Sequence, residues 1–241
     1  MFNKDEYVTR RSYNNDIIFK IIHIENDVAM LKGVNVRLKA DANINDLNKC
    51  ESIRTIEEND VLPVKNANYL NGKVLHIDGD NEYLKQSMKL YEKYKVPAVG
   101  YRFNEYEMAD KIIELLKKHH PDILIITGHD AIDKSGSSVN TSYFVECVKK
   151  ARTYQPSKDA LVIISGACYS SFKELIYEGS NISSSPGKVS INVLDPAKVA
   201  IMIATTSVME YVDINKIINL TSNKEKGMGG IDTKGVARKI Y

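Results

Sequence analysis

The spacing of hydrophobic and polar positions changes once along the chain, and the first 45 residues follow a strand pattern. Three runs rich in β-branched residues are separated by polar turn residues or a glycine: "YVTRRSY", "DIIFKIIHI" and "VAMLKGVNVRLKA". Strands this short and this closely spaced are typical of a small barrel or curled sheet. We therefore expect residues 1–45 to form a small SH3-like β-barrel module. The polar stretch over residues 46–72 predicts a linker with room for one short helix.

After Gly72 short apolar runs alternate with amphipathic stretches of helical period. The apolar runs predict strands and read "KVLHID", "PAVGYRF", "DILIITGHD" and "LVIIS". Between them apolar residues recur every three or four positions, as at Met108, Ile112 and Leu115. Strands that alternate with helices indicate an α/β domain over residues 73–241, with a mostly parallel sheet and helices on both faces. Asp195-Pro196 predicts the N-cap and first residue of a later helix.

Composition narrows the classes of partner and cofactor. The chain has 241 residues, 43% of them hydrophobic, and a formal net charge of +2, which is too weak to indicate nucleic acid or a membrane surface as a partner. The first ten residues lack the apolar core of a signal peptide, and no apolar run reaches the roughly 18 residues of a membrane span. We therefore expect cytoplasmic synthesis. Three widely spaced cysteines without a C-x-x-C motif suggest neither disulfides nor zinc, and no cofactor is expected.

Polar residues gather where the predicted strands end. The first strand runs into Asp78-Gly79-Asp80, the third into Gly128-His129-Asp130 and the fourth into Gly166-Ala167-Cys168. In an open α/β sheet, ligands bind in the crevice outside the carboxyl ends of the strands. The chemistry of this domain is therefore expected at that edge of the sheet.

Cys168 and His129 are the candidate nucleophile and base. A cysteine between a buried strand and a predicted helix start lies near unpaired backbone N–H groups and the positive end of a helix dipole, which favour thiolate. The N–H of Cys168 can also serve as an oxyanion donor. Of the five histidines, His129 is the one at the sheet edge. Because neighbouring strands lie about 5 Å apart, the pattern predicts a cysteine–histidine dyad.

Chain order argues against several other enzyme classes. No histidine follows His129, whereas amidotransferase-like and hydrolase-elbow enzymes place the histidine after the nucleophile. Phosphatase chemistry needs an arginine six residues after the cysteine, and position 174 is Glu. No Gly-x-Gly-x-x-Gly or Walker-type loop follows a strand, so a nucleotide site is not supported.

A family resemblance adds a biological setting. Histidine after the third strand and cysteine after the fourth is the order of the caspase–gingipain–separase group of cysteine peptidases. The segments "ILIITGHDAID", "LVIISGACYSSFKELI" and "KGMGGIDTKG" resemble the YabG family of sporulation proteases, and the resemblance extends over nearly the whole chain. It implies a caspase-like cysteine endopeptidase that processes spore coat or spore-associated proteins, with His129 and Cys168 in the catalytic positions and association with the spore coat.

The resemblance is incomplete beside the histidine. The wider caspase-like group usually has glycine directly after it, whereas here Gly128 precedes His129 and Asp130 follows. The backbone N–H of Asp130 is therefore the candidate for the second oxyanion donor. Asp130 is also a candidate to hold or flank the imidazole.

Several features have two interpretations. Asp78 and Asp80 can line a pocket for a basic side chain, so that cleavage follows basic residues, or they can serve as turn and N-cap residues. The glycine-rich "KEKGMGGIDTKG" can cover the crevice, be cut at Lys226 or Lys234, or form a flexible tail. The "AIDKSGSSVN" loop is a substrate lid or a solvated connection. The alternative for the whole chain is a non-catalytic scaffold that binds spore-coat proteins.

Overall fold

The structure is a computed structural model that describes residues 1–50, 62, 68–130 and 137–241. Most of the predicted linker, at positions 51–61 and 63–67, lies outside the described residues, and so do positions 131–136 of the "AIDKSGSSVN" loop. The chain divides into two compact units, Met1–Val61 and Leu62–Tyr241.

The smaller unit contains an antiparallel sheet of five short strands. They are β1 (Tyr7–Arg10), β2 (Phe19–Glu25), β3 (Val28–Gly33), β4 (Lys39–Asn43) and β5 (Leu47–Lys49), in the order β4-β3-β2-β1-β5. Asn26 and Asp27 both have positive φ, the conformation that two-residue hairpin turns require, and they join β2 to β3. Val8, Phe19 and Leu31 form part of the buried face. The predicted short strands are present, and β5 adds a strand within the stretch that the sequence assigns to the linker.

The larger unit has a six-stranded sheet in the order β12-β11-β10-β9-β7-β8. These strands are β7 (Val74–Asp78), β8 (Ala98–Arg102), β9 (Ile123–Thr127), β10 (Val162–Ser165), β11 (Ile182–Ser184) and β12 (Met228–Gly230). All neighbours pair in parallel except β12, which is antiparallel to β11. Two further strands, β6 (Tyr69–Leu70) and β13 (Arg238–Lys239), pair with each other.

Helices flank both faces of this sheet. They are α1 (Asn81–Lys93), α2 (Glu105–His119), α3 (Thr141–Tyr154), α4 (Phe172–Tyr177), α5 (Asp195–Thr205), α6 (Ile214–Asn219) and α7 (Lys224–Gly227). Leu75 and Ile77 of β7 share a hydrophobic cluster with residues of α2 and α3, while α1 and α5 pack together on the other face. The predicted α/β class with a mostly parallel sheet is therefore confirmed. Within the described part of the chain, no helix has the length and apolar character needed to cross a membrane.

The glycine-rich C-terminal stretch is ordered as part of this sheet, which differs from a flexible tail. Its first half forms α7 and β12, and Met228 to Gly230 pair with Ser184 to Ile182. A Cβ atom on Gly230 would lie 2.3 Å from the carbonyl oxygen of Asn181, so only glycine fits this close strand approach. The glycines here permit pairing at the sheet edge.

The chain reverses its direction of progress across the sheet at β7, which lies between β8 and β9. The carboxyl ends of β7 and β9 are joined by a hydrogen bond of 3.0 Å from the N–H of Gly79 to the carbonyl of Thr127. In open α/β sheets, ligand crevices occur at such a reversal. The residues that follow β7 and β9 therefore lie where a binding site is expected.

Candidate active site

His129 and Cys168 follow two adjacent parallel strands. β9 ends at Thr127, two residues before His129, and β10 ends at Ser165, three residues before Cys168. The register places Ser165 opposite Ile126. Both residues therefore leave the sheet at the same edge, in the order that the sequence predicts.

The imidazole of His129 lies between two carboxylates. Its Nε2 is 3.6 Å from Oδ2 of Asp80, and its Nδ1 is 3.5 Å from Oε1 of Glu105. The ring of Tyr83 packs against it at a centroid distance of 5.5 Å. His129 is 5% exposed, and neither ring nitrogen makes a well-aligned hydrogen bond to the part of the chain that the structure describes. The contacts of the ring are therefore mainly those of charge with two acidic neighbours.

Glu105, the first residue of α2, approaches the backbone as well as the ring of His129. Its Oε1 accepts a hydrogen bond of 2.8 Å from the N–H of His129. Burial on its own would raise the pKa of the Glu105 carboxyl, but the imidazole and the backbone N–H of His129 outweigh it and lower that pKa below its ordinary value. Glu105 is therefore ionised at neutral pH.

Two glycines make the space that Glu105 occupies. A Cβ on Gly79 would lie 2.2 Å from Oε1 of Glu105, and a Cβ on Gly128 would lie 2.6 Å from the same atom. Gly79 follows β7 and Gly128 follows β9, so the carboxylate enters the crevice between these strand ends. Any larger residue at either position would displace it.

The thiol of Cys168 is fully buried, and residues 185–193, here called the covering segment, contact it and the residue that follows it. The backbone N–H of Ile191 donates to Sγ at 3.1 Å, and the carbonyl oxygen of the same residue lies 3.9 Å from Sγ. The covering segment is tied to the cysteine turn, because the N–H of Tyr169 donates to Oγ of Ser185 at 3.1 Å. Ile191 therefore offers the sulfur both a donor and an acceptor.

The surroundings of the thiol differ from those that the sequence predicts. The thiol is fully buried at the edge of the sheet, with Ile191 against it. We expected a helix to begin at the cysteine, but Gly166, with φ of +98°, turns the chain out of β10 and α4 begins only at Phe172. The observed donor at the sulfur is therefore the N–H of Ile191.

Asp130 and Ser170 connect the histidine turn to the cysteine turn. Oδ2 of Asp130 accepts hydrogen bonds from the hydroxyls of Ser170 at 2.9 Å and Thr141 at 2.6 Å. Oγ of Ser170 in turn accepts the N–H of Ala167 at 3.0 Å. Asn140 donates to the carbonyl of His129 at 2.9 Å. This network fixes the two turns relative to each other.

Asp78 and Asp80 make turn and capping interactions. Asp80 caps α1, accepting the N–H groups of Glu82 and Tyr83. Asp78 is fully buried and accepts the N–H of Asp80 at 2.9 Å and the hydroxyl of Thr127 at 3.0 Å. These contacts agree with the turn and N-cap interpretation, and in addition Asp80 approaches His129 and Asp78 approaches His76.

A second buried histidine lies behind Asp78. Nε2 of His76 lies 3.4 Å from Oδ2 of Asp78 and 3.0 Å from Oγ1 of Thr127, and its Nδ1 is 3.0 Å from the hydroxyl of Tyr91. This polar group sits under the crevice rather than in it. No group of three or more His, Cys, Asp or Glu side chains is arranged to hold a metal ion in residues 1–50, 62, 68–130 and 137–241.

The structure thus brings His129, Cys168, Asp130, Asp78 and Asp80 to one edge of the sheet. Sequence reasoning missed Glu105, Tyr83 and Ile191. Gly79 and Gly128, which follow the ends of β7 and β9, signal a close approach at this edge but do not indicate that Glu105 makes it. Cys147 lies on the inner face of α3, where it is fully buried and burial raises its pKa to about 12, so it is a core residue.

Comparison with known proteins gives consistent results. The family model described as YabG peptidase U57 matches residues 3–71 and 64–241. The chain is 37% identical over 280 residues to a Bacillus subtilis (strain 168) protein named sporulation-specific protease YabG, with 98% of this chain and 97% of that protein covered. The similarity therefore spans both compact units.

Proposed function

This chain belongs to the YabG peptidase U57 family, and on that premise we propose that it is a cysteine endopeptidase that acts in sporulation. The observation that supports this most directly is the exit of His129 and Cys168 from neighbouring parallel strands at one sheet edge. We further propose that the larger unit is a caspase-like peptidase domain and the smaller one an SH3-like module that docks or braces.

In the proposed reaction the thiolate of Cys168 attacks the carbonyl carbon of the scissile peptide bond. The backbone N–H groups of Cys168 and Asp130 stabilise the oxyanion that forms. His129, as imidazolium, gives its proton to the leaving amine and then takes a proton from the water that hydrolyses the acyl-enzyme. The two half-reactions together hydrolyse one peptide bond and return the thiolate and the imidazolium, without a metal or organic cofactor.

The covering segment implies a conformational step before this chemistry. Because Ile191 lies against Sγ of Cys168, residues 185–193 have to move before a polypeptide reaches the sulfur. Movements of loops that complete a catalytic site are common in enzymes. We assign the described arrangement to a resting state.

We propose spore coat or spore-associated proteins as substrates. We also propose cleavage after a basic residue. Supporting this, two acidic side chains, Asp80 and Glu105, flank the imidazole of His129, and their charges attract a cationic side chain, whereas Asp78 is fully buried. Assays with peptides that carry arginine, lysine or an apolar residue before the cut bond test it, and a preference for the apolar peptide would contradict it.

One observation favours a second function. Full burial of Cys168 is also what a scaffold with a dormant dyad would show. Such a scaffold would bind coat proteins and leave them intact.

Incubation of the purified chain with a coat-protein extract, followed by mapping of new termini, separates the two. We expect new termini with the unaltered chain and with Cys50→Ala, and none with Cys168→Ala. Cleavage that persists in Cys168→Ala would contradict the proposed nucleophile. Binding without new termini in the unaltered chain would favour the scaffold.

A further inference from the structure

Beyond the dyad, we infer that Glu105 is the positioning residue of His129, fixing the turn that carries the imidazole and the orientation of its ring. This inference rests on the proposed function for its catalytic meaning. The geometry that carries it, however, is independent of whether the chain is a peptidase.

The first argument is that Glu105 contacts His129 at two points. Its Oε1 accepts the backbone N–H at 2.8 Å and lies 3.5 Å from Nδ1 of the ring. One atom therefore restrains both the main chain and the side chain of the same residue. A carboxylate that accepts a backbone N–H makes a charge-assisted hydrogen bond, which is stronger than a neutral one.

The second argument is that the site is built for this carboxylate. Gly79 and Gly128 come from two different strand ends, and a Cβ on either would lie within 2.6 Å of Oε1 of Glu105. All three of the nearest atoms to a Cβ on Gly128 belong to the Glu105 side chain. The absence of side chains at these two positions is what admits Glu105 to the crevice.

The third argument is that Glu105 is mounted on a rigid element. It begins α2, whose N-terminus is closed by a capping box between Asn104 and Glu107. The same helix buries Met108 and Ile112 in the core. A side chain held by such a helix can fix its partner more accurately than one on a mobile loop.

The fourth argument concerns the charged side chains around the ring of His129. Among residues 1–50, 62, 68–130 and 137–241, the titratable groups in contact with the ring of His129 are Asp80 at Nε2, Glu105 at Nδ1 and Tyr83 against its face. Each carboxylate approaches a different ring nitrogen, so the two together favour one orientation of the ring. Of the two, Glu105 also contacts the backbone of His129, whereas Asp80 caps α1.

The first test is hydrogen exchange at the backbone amide of His129, which does not require activity. We expect Glu105→Ala to raise its exchange rate about tenfold, as loss of a hydrogen bond to a charged group predicts. Glu105→Gln keeps an acceptor oxygen and should leave the rate near that of the unaltered chain. Glu114→Gln, which removes the same charge from the exposed face of α2, is the matched control. Unchanged exchange in Glu105→Ala would overturn the inference.

The second test separates kcat from KM with a cleaved peptide. Glu105→Ala should lower kcat/KM about a hundredfold, through kcat rather than KM, by misplacing the ring. Glu105→Gln, which keeps an acceptor for the N–H of His129, should lose much less. Equal losses in the two variants would contradict the positioning role. If Cys168→Ala shows that Cys168 is not the nucleophile, the hydrogen-exchange result still tests whether Glu105 positions His129.

Discussion

The hydroxyl of Ser170 donates a hydrogen bond of 2.9 Å to Oδ2 of Asp130, and this bond joins the turn of the proposed nucleophile to the turn of its proposed base. Neither residue carries out the proposed bond-breaking chemistry through its side chain. Their contact nevertheless sets the spacing of the two turns, because Ser170 also accepts the N–H of Ala167, next to Cys168.

We expect Ser170→Ala to weaken both stability and activity. The change leaves the buried N–H of Ala167 without this acceptor and removes one of the donors to Asp130, which should cost about 1–3 kcal/mol of the free energy of unfolding. Urea unfolding and kcat/KM measure the two effects. Ser142→Ala, at an exposed position in the first turn of α3, should change neither. Equal behaviour of the two variants would contradict the bridging role.

Gly128→Ala should reproduce the loss of Glu105. The added Cβ would lie 2.6 Å from Oε1 of Glu105, so the carboxylate has to leave the crevice. Because Glu105→Ala removes the atoms that clash, the double variant should be little worse than Glu105→Ala alone. A double-mutant cycle on kcat/KM and on unfolding free energy measures this coupling. Additive losses would show that the glycine serves another purpose.

Asp80→Asn should distinguish the helix-capping role of Asp80 from the effect of its charge beside His129. Asparagine caps helices as well as aspartate, so α1 should keep its stability, whereas Asp80→Ala should lose about 0.5–2 kcal/mol of unfolding free energy. The neutral amide, however, no longer places a negative charge 3.6 Å from Nε2 of His129. We therefore expect Asp80→Asn to lower kcat/KM while the unfolding free energy is retained. Unchanged kcat/KM in Asp80→Asn would show that the charge of Asp80 does not serve the activity.

Asp195 should make stability fall as pH rises from about 4 to 6. Burial raises its pKa to about 6, despite hydrogen bonds from Ser222, so the folded chain binds a proton that the unfolded chain has released. In this window the folded state carries more protons, and the free energy of unfolding therefore decreases with pH by up to about 3 kcal/mol, then levels above pH 6. Urea unfolding at several pH values measures it.

Asp195→Asn is the comparison for that experiment. The unfolding free energy of the unaltered chain minus that of Asp195→Asn should be largest at pH 4 and constant above pH 6. Any effect of the amide that does not depend on pH shifts this difference equally at all pH values. A difference independent of pH would show that folding does not change the pKa of this carboxyl. The residue is the first of α5, with Leu194 as the N-cap, so its buried position differs from the cap that the sequence suggested.

Much of the larger sheet could be predicted because its central strands are apolar on both faces. β7, β9 and β10 are runs of buried residues, and α2 and α3 have clear helical periods. β11 and β12 escaped prediction because their residues, Ile182–Ser184 and Met228–Gly230, have weak strand propensity. They become strands by pairing with β10 and with each other, which is a tertiary effect.

Some residues of the candidate site could likewise be predicted from the sequence, and others could not. His129 and Cys168 could be found because each follows a strand directly in sequence. Glu105 and Ile191 could not, since their positions depend on where α2 and residues 185–193 return to the sheet. A sequence pattern indicates which residues leave a strand end, but not which distant residues fold back onto it.

The cover over Cys168 has a consequence for rate and for chemical durability. If only those molecules whose residues 185–193 have moved aside can be acylated, then turnover is the intrinsic rate multiplied by the fraction of opened molecules. Peroxides dissolved in the surrounding water meet the same obstruction, because oxidation of a cysteine requires access to its sulfur. On the proposed mechanism, this one contact therefore predicts both a reduced turnover and a long-lived reduced thiol.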